Sequence, residues 1–283
     1  MIVALDLDRT LIHAAASAPA GMDLVVVEEL NGAPLSVMTS AAAGLYALLC
    51  HHATVVPATT RSLSQYRRVV LPVAPRWAIA ANGGQVLRDG QVDAAWQVAL
   101  GGRIDVSRLP EAQLVLDSAA LRTGGAVARV TARDGLFVSA VLSAPVAPAE
   151  LLRVRGRLAA VGWRLASSGR KVYALPAGLD KEAALAWISG ATGEPVVAAA
   201  GDSPLDEGML RLAAAALCPR DSELAAVPGS PGWRTPRGGP AATEDLLART
   251  LEIVAAVTAP PVLGAFPDTS PAPAADHAGR LEN

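Results

Sequence analysis

Short apolar runs bounded by polar residues recur near both ends of the chain, and segments with helical spacing of apolar positions separate them. Such a short aliphatic run fits a strand that is buried on both faces of a parallel sheet. The predicted strands are residues 2–5, 53–58, 77–81, 195–200 and 216–218. The predicted helices are residues 40–51, 62–71, 180–189, 204–214 and 243–257. Strands that alternate with helices predict an α/β fold, with a Rossmann-like, doubly wound parallel sheet.

Residues 85–175 follow a different pattern, because turn signals there separate pairs of β-rich runs. Asp89-Gly90 and Asp134-Gly135 each lie between two such runs, which is typical of a hairpin. The other predicted elements of this region are helices 107–122 and 148–161 and a strand pair, 163–166 and 171–175. We therefore predict an inserted α+β module, residues 85–175, in a core formed by residues 1–84 and 176–258.

Two segments outside these regions have their own character. Asn31-Gly32 lies between the runs 24–27 and 35–38, which predicts a hairpin placed as a flap over the end of the first strand. Residues 259–283 are rich in Pro and Ala, a composition typical of a disordered tail.

Composition and charge exclude several partners. The chain is 52% apolar, and its formal net charge is −2 without a long basic run, so we expect neither a nucleic acid nor a membrane as partner.

Cys50 and Cys218 lack the spacing of a metal or redox motif. The N-terminal residues lack the pattern of a signal peptide, and no apolar run reaches the roughly 20 residues that a membrane span requires. We expect a cytoplasmic protein that is a monomer or a homodimer.

Acidic residues follow two of the predicted strands. Asp6 and Asp8 come at the end of the first strand, where alternation places them on the same side. Two carboxylates there repel each other unless a cation or a proton joins them, although a solvated acidic strand end is the simpler interpretation. Asp202 and Asp206 follow the strand 195–200, where a helix N-cap is the simpler interpretation of Asp202. Because parallel strands open onto one edge of the sheet, the two acidic pairs are expected to meet.

Thr59 and Lys181 extend this pattern. Thr59 ends the second strand, and its hydroxyl with the following helix N-terminus predicts an anion site, unless it is an ordinary helix cap. Lys181 opens a helix, a position that the helix dipole disfavours for a cation.

These motifs, in this order, resemble those of the haloacid-dehalogenase-like hydrolase superfamily. The pattern is Asp6-x-Asp8-x-Thr10, then Thr59, Lys181 and Gly201-Asp202-x-x-x-Asp206, each at a strand end or helix start. The inserted module resembles the large α/β cap of the Cof-type and sugar-phosphatase branch. Two further segments of that branch are similar to Ala58-Thr59-Thr60-Arg61 and Asn82-Gly83. The resemblance covers about residues 1 to 258.

The resemblance implies a role for each matching residue. Asp6 is implied to be the nucleophile that takes the phosphoryl group, and Asp8 the acid and base that serves the leaving group and the water. Thr59 and Lys181 are implied to hold the phosphoryl oxygens. The implied cofactor is Mg²⁺, and its implied ligand set is Asp6, the backbone carbonyl of Asp8, Asp202 and, as the residue that orients the site, Asp206.

Five more residues are expected to contact the substrate: Arg9, Thr60, Arg61, Asn82 and Lys171. Some of them depart from the family pattern. Arg9 stands where a small residue is usual in the family. Its side chain either reaches an anionic substrate or points outward and caps the loop. Thr60 replaces a Gly, and Leu205 stands where the Cof-like branch usually has Asn. Lys171 and the neighbouring Arg170 either face the substrate or form a solvated edge.

The resemblance implies a Mg²⁺-dependent phosphatase that acts on a small phosphorylated metabolite, such as a sugar phosphate, through an aspartyl-phosphate on Asp6. The inserted module is expected to close over the catalytic edge and select the leaving group. Two alternatives stay open at this point. One is a phosphomutase of the same superfamily, and the other is a non-catalytic binding or signalling module that retains the acidic pocket.

Overall fold

A computed structural model describes residues 1–118, 127–230 and 232–259. Its strands in chain order are β1 Ile2–Asp6, β2 His13–Ala14, β3 Leu24–Leu30, β4 Ala33–Thr39, β5 Thr54–Ala58, β6 Trp77–Ala80, β7 Gln85–Arg88, β8 Gln91–Val92, β9 Val127–Arg133, β10 Phe137–Leu142, β11 Trp163–Ser168, β12 Lys171–Pro176, β13 Val196–Ala200, β14 Ala215–Cys218 and β15 Trp233–Arg234. Its α-helices are Ser40–His52, Leu63–Tyr66, Ala94–Gly101, Leu109–Leu116, Pro148–Ala159, Lys181–Thr192, Glu207–Leu212 and Pro240–Thr258.

The largest sheet has eight strands in the order β15-β14-β13-β1-β5-β6-β7-β8. Its strands from β15 to β6 run parallel, whereas β7 and β8 are antiparallel to their neighbours. The chain moves from β1 to β5 on one side and later to β13 on the other, so the direction of winding changes at β1. The predicted α/β fold with a doubly wound sheet is confirmed, and the crevice of such a sheet lies at the carboxyl ends of the strands around this point.

The central strand β1 joins two hydrophobic cores. Ile2 and Ala4 pack into one core, and Val3 and Leu5 pack into the other, because successive side chains of a strand point to opposite faces. All five residues of β1 are buried. This burial explains why the strand is a continuous apolar run that ends at its carboxylate.

Two smaller antiparallel sheets accompany the large one. The first has four strands in the order β11-β12-β10-β9, and the second has three in the order β2-β4-β3. The second sheet contains the hairpin predicted at Asn31-Gly32. The division of the chain into a core and an inserted cap stays a prediction.

The structure corrects the predicted place of the hairpin at residues 85–92. β7 pairs with β6 from Trp77↔Arg88 to Ala80↔Gln85, so this hairpin extends the large sheet and is not part of the four-stranded one. The turn at Gly83 and Gly84 reverses the chain directly after β6, which brings β7 beside it. The Asp-Gly signal indicated the hairpin but not the sheet that it joins.

Several helices also differ from prediction. The helix expected at residues 62–71 covers Leu63–Tyr66, because the amide of Val70 donates to the carbonyl of Val27 in β3 and not to a helical partner. The helix expected at 204–214 is a 3₁₀ turn, Pro204–Asp206, followed by Glu207–Leu212. The helix Ala94–Gly101 was not predicted. The end of the predicted helix 107–122 and the tail from residue 260 lie outside the described residues.

Within the described ranges, no helix combines the length and the apolar character that a membrane crossing requires.

Candidate active site

The carboxyl ends of the two central strands bring three acids together. Asp6 is the last residue of β1, and Asp202 lies two residues beyond β13, its parallel neighbour. Asp206 follows one 3₁₀ turn later. All three side chains are buried, and one oxygen from each lies within 4.8 Å of the others. The meeting of the two acidic motifs that the sequence predicted therefore occurs, but with Asp206 in the cluster and Asp8 outside it.

Lys181 provides the positive charge of this cluster. Its Nζ lies 2.5 Å from Oδ1 of Asp6 and 2.6 Å from Oδ1 of Asp206, and its side chain is 1% exposed. Burial lowers the pKa of this lysine, but the two carboxylates outweigh burial, so its pKa is raised and the ammonium stays charged. Its two ion pairs explain why a lysine occupies the first turn of a helix.

Asp206 uses both of its oxygens within the protein. Oδ2 accepts hydrogen bonds from the backbone N–H of Asp202 at 3.2 Å and from the N–H and hydroxyl of Ser203 at 3.0 and 2.9 Å. Oδ1 is the partner of Lys181. Gly201 leaves room for this arrangement, since a Cβ there would lie 2.4 Å from the Cβ of Asp206. Asp206 therefore holds the loop that presents Asp202.

Asp202 has an oxygen in the cluster that accepts no hydrogen bond from the described residues. Its Oδ2 is buried and has no hydrogen-bond partner among the residues that the structure describes, and Nη1 of Arg9 lies 3.4 Å away. Burial and the neighbouring Asp206 raise the pKa of Asp202 to about 7. Burial also raises the pKa of Asp6, and Lys181 only partly opposes this. With three buried carboxylates and one buried ammonium, the cluster has an excess of negative charge.

This donor set fits a hard divalent cation such as Mg²⁺. The buried oxygen of Asp202 lacks a hydrogen-bond partner among the described residues, Asp6 lies beside it, and carboxylate oxygens are the ligands that Mg²⁺ prefers. Asp6 and Asp202 would hold the ion, and Asp206 would orient them.

Asp8 is bound by Arg61. Nε of Arg61 lies 2.8 Å from Oδ2 of Asp8, and Nη2 lies 2.7 Å from Oδ1, so the contact is bidentate. Burial raises the pKa of Asp8, but the hydrogen bonds and charge of Arg61 outweigh it, and the pKa is lowered from its usual value. Arg61 was predicted to contact substrate, whereas in the structure its guanidinium is engaged by protein carboxylates.

Glu28 on β3 is the second partner of Arg61, and sequence reasoning missed it. Its buried carboxylate lies 2.6 Å from Nη1 of Arg61 and 2.9 Å from Nη2 of Arg68, and it accepts a hydrogen bond from the hydroxyl of Ser36 at 2.7 Å. An acid in the middle of a β-rich run, Leu24–Leu30, was the available signal. The hairpin thus holds the arginine that holds Asp8.

Thr59 and Asn82 shape the backbone around the site. The hydroxyl of Thr59 is buried and accepts from the N–H of Arg61 at 3.1 Å, and the side-chain amide of Asn82 donates to the carbonyl of Leu179 at 3.1 Å. Neither residue lines the cavity over the acids, whereas Thr60 does. The structure therefore brings Thr60, and not its neighbour, to the place predicted for a phosphate contact.

A cavity of about 400 Å³ opens over the acids. One wall includes Asp6, Asp8, Asp202 and Lys181, and Arg9 also lines the cavity. The opposite wall comes from the four-stranded sheet and consists of Val141, Ser168, Gly169, Arg170, Lys171 and Tyr173. Arg9 and Lys171 thus lie where a substrate contact was predicted, and Tyr173 is an addition that the sequence did not indicate.

No family model matches the sequence, and no curated protein matches it. Solved structures do match. The sucrose-phosphatase of Synechocystis sp. PCC6803, in complex with sucrose and phosphate, is 16% identical, with a TM-score of 0.64 over 88% of this chain and 97% of that one. The chain has the haloacid-dehalogenase-like fold.

Two other solved structures share this fold. A haloacid dehalogenase-like hydrolase from Bacteroides thetaiotaomicron is 13% identical, with a TM-score of 0.56 over 88% of this chain and 98% of that one. A sugar phosphatase of HAD subclass IIB is 12% identical, with a TM-score of 0.55 over 89% of this chain and 99% of that one. These matches confirm the predicted haloacid-dehalogenase-like fold, and at such identities the likeness concerns the fold alone.

Proposed function

We propose that this protein is a Mg²⁺-dependent phosphatase of the haloacid-dehalogenase-like superfamily that hydrolyses a small phosphorylated metabolite. One observation carries the proposal. Asp6, Lys181 and Asp202, whose Oδ2 accepts no hydrogen bond from the described residues, form a buried charged cluster that faces a cavity at the carboxyl end of the central strands. Phosphoryl transfer depends mainly on positioning and on charge neutralisation, and this cluster supplies both.

Asp6 is the proposed nucleophile. One of its carboxylate oxygens forms a bond to phosphorus while the bond from phosphorus to the leaving oxygen breaks, and the leaving oxygen takes a proton from Asp8. Water then attacks the same phosphorus and gives a proton to Asp8. The bond between phosphorus and Asp6 breaks in this second step, and phosphate is released.

Lys181 and the metal site address the main obstacle, which is the repulsion between a carboxylate and a phosphate. The ammonium of Lys181, 2.5 Å from Asp6, offsets part of the negative charge. A Mg²⁺ ion, when bound, would supply further electrostatic stabilisation of the phosphoryl oxygens. Asp202 and Asp6 would hold that ion, and Thr60 and Lys181 would contact the phosphoryl group from the cavity wall.

Asp8 is the proposed acid and base. Its ion pair with Arg61 favours the ionised form, which is the form that accepts a proton from water in the second step. For the first step Asp8 has to take up a proton, and this weakens its contact with Arg61. Arg61 therefore influences how readily Asp8 gives up a proton in the first step and accepts one in the second.

The wall opposite the acids supports a polar metabolite as substrate. The four-stranded sheet closes the cavity with a serine, a tyrosine and two cationic side chains. The sucrose-phosphatase of similar fold was solved with sucrose and phosphate, which supports the same broad class of substrate here. We propose that this sheet is the cap that selects the leaving group.

Phosphate release from a panel of phosphorylated sugars, nucleotides and small acids tests the proposal. We expect release that requires Mg²⁺, stops with a chelator and falls by at least about a thousandfold in Asp6→Asn. Asp89→Asn is the matched control, because Asp89 is an exposed turn residue that does not line the cavity over the acids, and Asn accepts its positive φ of 50°.

The same assay separates the rival functions. Isomerisation of a sugar phosphate without net release would assign the protein to the phosphomutases. Binding of Mg²⁺ by the folded wild type without turnover of any compound would assign it to the non-catalytic modules. Release that persists in Asp6→Asn would refute the role of Asp6.

A further inference from the structure

The charges on the two walls of the cavity differ in how they are balanced. On the acidic wall, Lys181 pairs with Asp6, Arg61 pairs with Asp8, and Arg9 lies 3.4 Å from Asp202. On the opposite wall, Arg170 and Lys171 line the cavity, and neither forms an ion pair or a side-chain hydrogen bond within the described part of the chain. Both side chains are exposed to the cavity and solvent. Two cations therefore face the space above the reacting carboxylate without a direct ion pair, and the charge of Lys171 acts on Asp8 across that space.

The turn that presents these cations is held at the cavity. The backbone N–H of Gly169 donates to Oε1 of Glu223 at 2.5 Å, and the same oxygen lies 3.5 Å from Nη1 of Arg9. Glu223 is thus engaged by a backbone amide and by Arg9. Since Arg170 and Lys171 follow Gly169 directly, this contact fixes the start of the segment that presents their side chains.

The chemistry of this wall is almost entirely that of a hydrogen-bond donor. Arg and Lys side chains donate and cannot accept, and the only side-chain oxygens on this wall among the described residues are the hydroxyls of Ser168 and Tyr173. No carboxylate or amide side chain of the four-stranded sheet lines the cavity in the described ranges. A leaving group made only of hydroxyls can accept hydrogen bonds from these donors but brings no negative charge to offset theirs.

The phosphoryl group itself does not account for these cations. It is transferred to Asp6, where Lys181 and the proposed metal site already offset its charge. Arg170 and Lys171 lie on the facing wall, where the rest of the substrate has to be placed. An acceptor-rich, negatively charged leaving group matches two unpaired donors there.

We propose that the leaving group of the substrate carries a second anionic group, a carboxylate or a second phosphate, which binds Arg170 and Lys171. This inference rests on the proposed phosphatase function and names its substrate class: phosphorylated acids and bisphosphates, in preference to neutral sugar monophosphates. Arg170 and Lys171 act as specificity residues and take no part in the chemical steps.

Matched substrate pairs test this class. Phosphoglycerate is compared with glycerol phosphate and phosphogluconate with sorbitol phosphate, so that within each pair a carboxylate replaces a hydroxymethyl group. Fructose bisphosphate is compared with fructose monophosphate, which tests a second phosphate. We expect kcat/KM to be at least about tenfold higher for the anionic member of the carboxylate or the phosphate pairs, and the preference to shrink as salt is added.

Variants of Arg170 and Lys171 test whether these two residues cause the preference. Arg170→Gln with Lys171→Gln is expected to remove the preference, because it raises KM about tenfold more for the anionic member than for the neutral one. Arg155→Gln with Arg157→Gln is the matched control, since it removes the same charge from exposed positions of the helix Pro148–Ala159 that do not line the cavity. That control is expected to keep the preference.

The outcomes separate this inference from the proposed function. Release that depends on Asp6 but is equal for both members of every pair would overturn the inference and leave the phosphatase standing. A preference that survives in the Arg170 and Lys171 variant would also overturn it. Absence of release from every compound would remove the phosphatase and this inference with it.

Discussion

At the level of single residues, the buried charge of Lys181 affects both the stability of the fold and the proposed chemistry. Its ammonium is surrounded by Asp6 and Asp206 in an environment that excludes water. Removal of one partner from a buried ion pair is costly, because it leaves the other charge buried without compensation. The lysine therefore serves both the stability of the fold and the proposed chemistry.

Replacement of Lys181 should have larger effects than replacement of Lys171, the other lysine near the site. In the presence of a chelator, Lys181→Met is expected to lower the free energy of unfolding by about 3 kcal/mol, because two buried carboxylates lose their cation while the side-chain volume is kept. Phosphate release should fall by at least about a hundredfold. Urea denaturation and the release assay measure these effects. Lys171→Met, at an exposed position, should leave the unfolding free energy unchanged, and equal effects of the two variants would contradict the assignment.

His13 is a second buried group whose protonation matters. Its Nε2 lies 2.9 Å from the hydroxyl of Thr243, and that hydroxyl donates its own hydrogen to the carbonyl of Thr10 at 2.7 Å. The imidazole must therefore donate through Nε2–H. Burial lowers the pKa of His13 to about 4, while nearby Asp221 and Asp8 oppose this effect and Arg9 adds to it.

The low pKa of His13 gives stability a pH dependence. The imidazole binds a proton below about 6.5 in the unfolded chain but only near 4 in the folded one, so stability falls as the pH decreases through this window. Between about pH 7 and pH 5, wild type should lose about 2 kcal/mol more than His13→Gln does. Urea denaturation at the two pH values measures this, with His51→Gln, an exposed histidine, as control. Identical pH slopes for wild type and His13→Gln would rule the effect out.

At the scale of an element, the turn at Asn82-Gly83 places the helix that begins at Lys181. Gly83 has a φ of +97°, and a Cβ there would lie 2.0 Å from the carbonyl oxygen of Asp180. The side-chain amide of Asn82 donates to Leu179 in the same segment. The two residues therefore set the position of the segment that ends in Lys181, although neither touches the cavity.

A pair of glycine substitutions isolates this contact. Gly83→Ala is expected to lower the unfolding free energy by more than about 2 kcal/mol and to reduce phosphate release, because the new Cβ would displace Asp180 and thus Lys181. Gly90→Ala is the control, since Gly90 also has a positive φ but no atom within 4 Å of its Cβ position. Urea denaturation measures both. Equal losses would mean that the backbone angle, and not the contact, is responsible.

The hairpin β3–β4 acts as a second positioning element. Glu28 reaches from β3 to Arg61, which in turn holds Asp8. Glu28→Gln is expected to lower kcat about tenfold with little change in KM, because Asp8 loses its fixed orientation while the cavity keeps its lining. Glu29→Gln is the matched control at the next, exposed position. A change in KM alone would place Glu28 in substrate binding.

At the scale of the whole molecule, the proposed metal ligands come from distant parts of the chain. Asp6 lies in β1, and Asp202 follows β13, so the ligand set exists only when the sheet is formed. Three carboxylates and one ammonium give this buried cluster a formal charge of 1 − 3 = −2 when all are ionised. Binding of a divalent cation to such a set is coupled to folding.

Metal binding should therefore stabilise the fold. At a Mg²⁺ concentration about one hundred times its Kd, the unfolding free energy of wild type should rise by about 2.7 kcal/mol. Asp202→Asn should lose most of this gain, yet in chelator it should be at least as stable as wild type, because it removes a buried negative charge. Thermal and urea denaturation with Mg²⁺ and with chelator measure this. An equal gain in both proteins would place the metal elsewhere.

Local patterns in the sequence predicted much of this molecule, and the misses share a cause. The aliphatic run of β1 and the acids after it predicted a strand end with Asp6. The role of Glu28 could not be predicted, since its partners Arg61 and Arg68 are more than thirty residues away. The same holds for the sheet that the hairpin 85–92 joins, because a turn signal does not specify a third strand.

Local patterns were enough to predict the α/β alternation, the order of the acidic motifs and the strand ends on which they lie, because periodicity and turn residues act over a few neighbouring positions. The folded arrangement was needed to show which of these acids pair with Lys181, that Arg61 binds Asp8, and that Arg170 and Lys171 face the cavity. These relations depend on burial and on contacts between segments far apart in the chain. They therefore follow from the packing of the sheets and not from any local pattern.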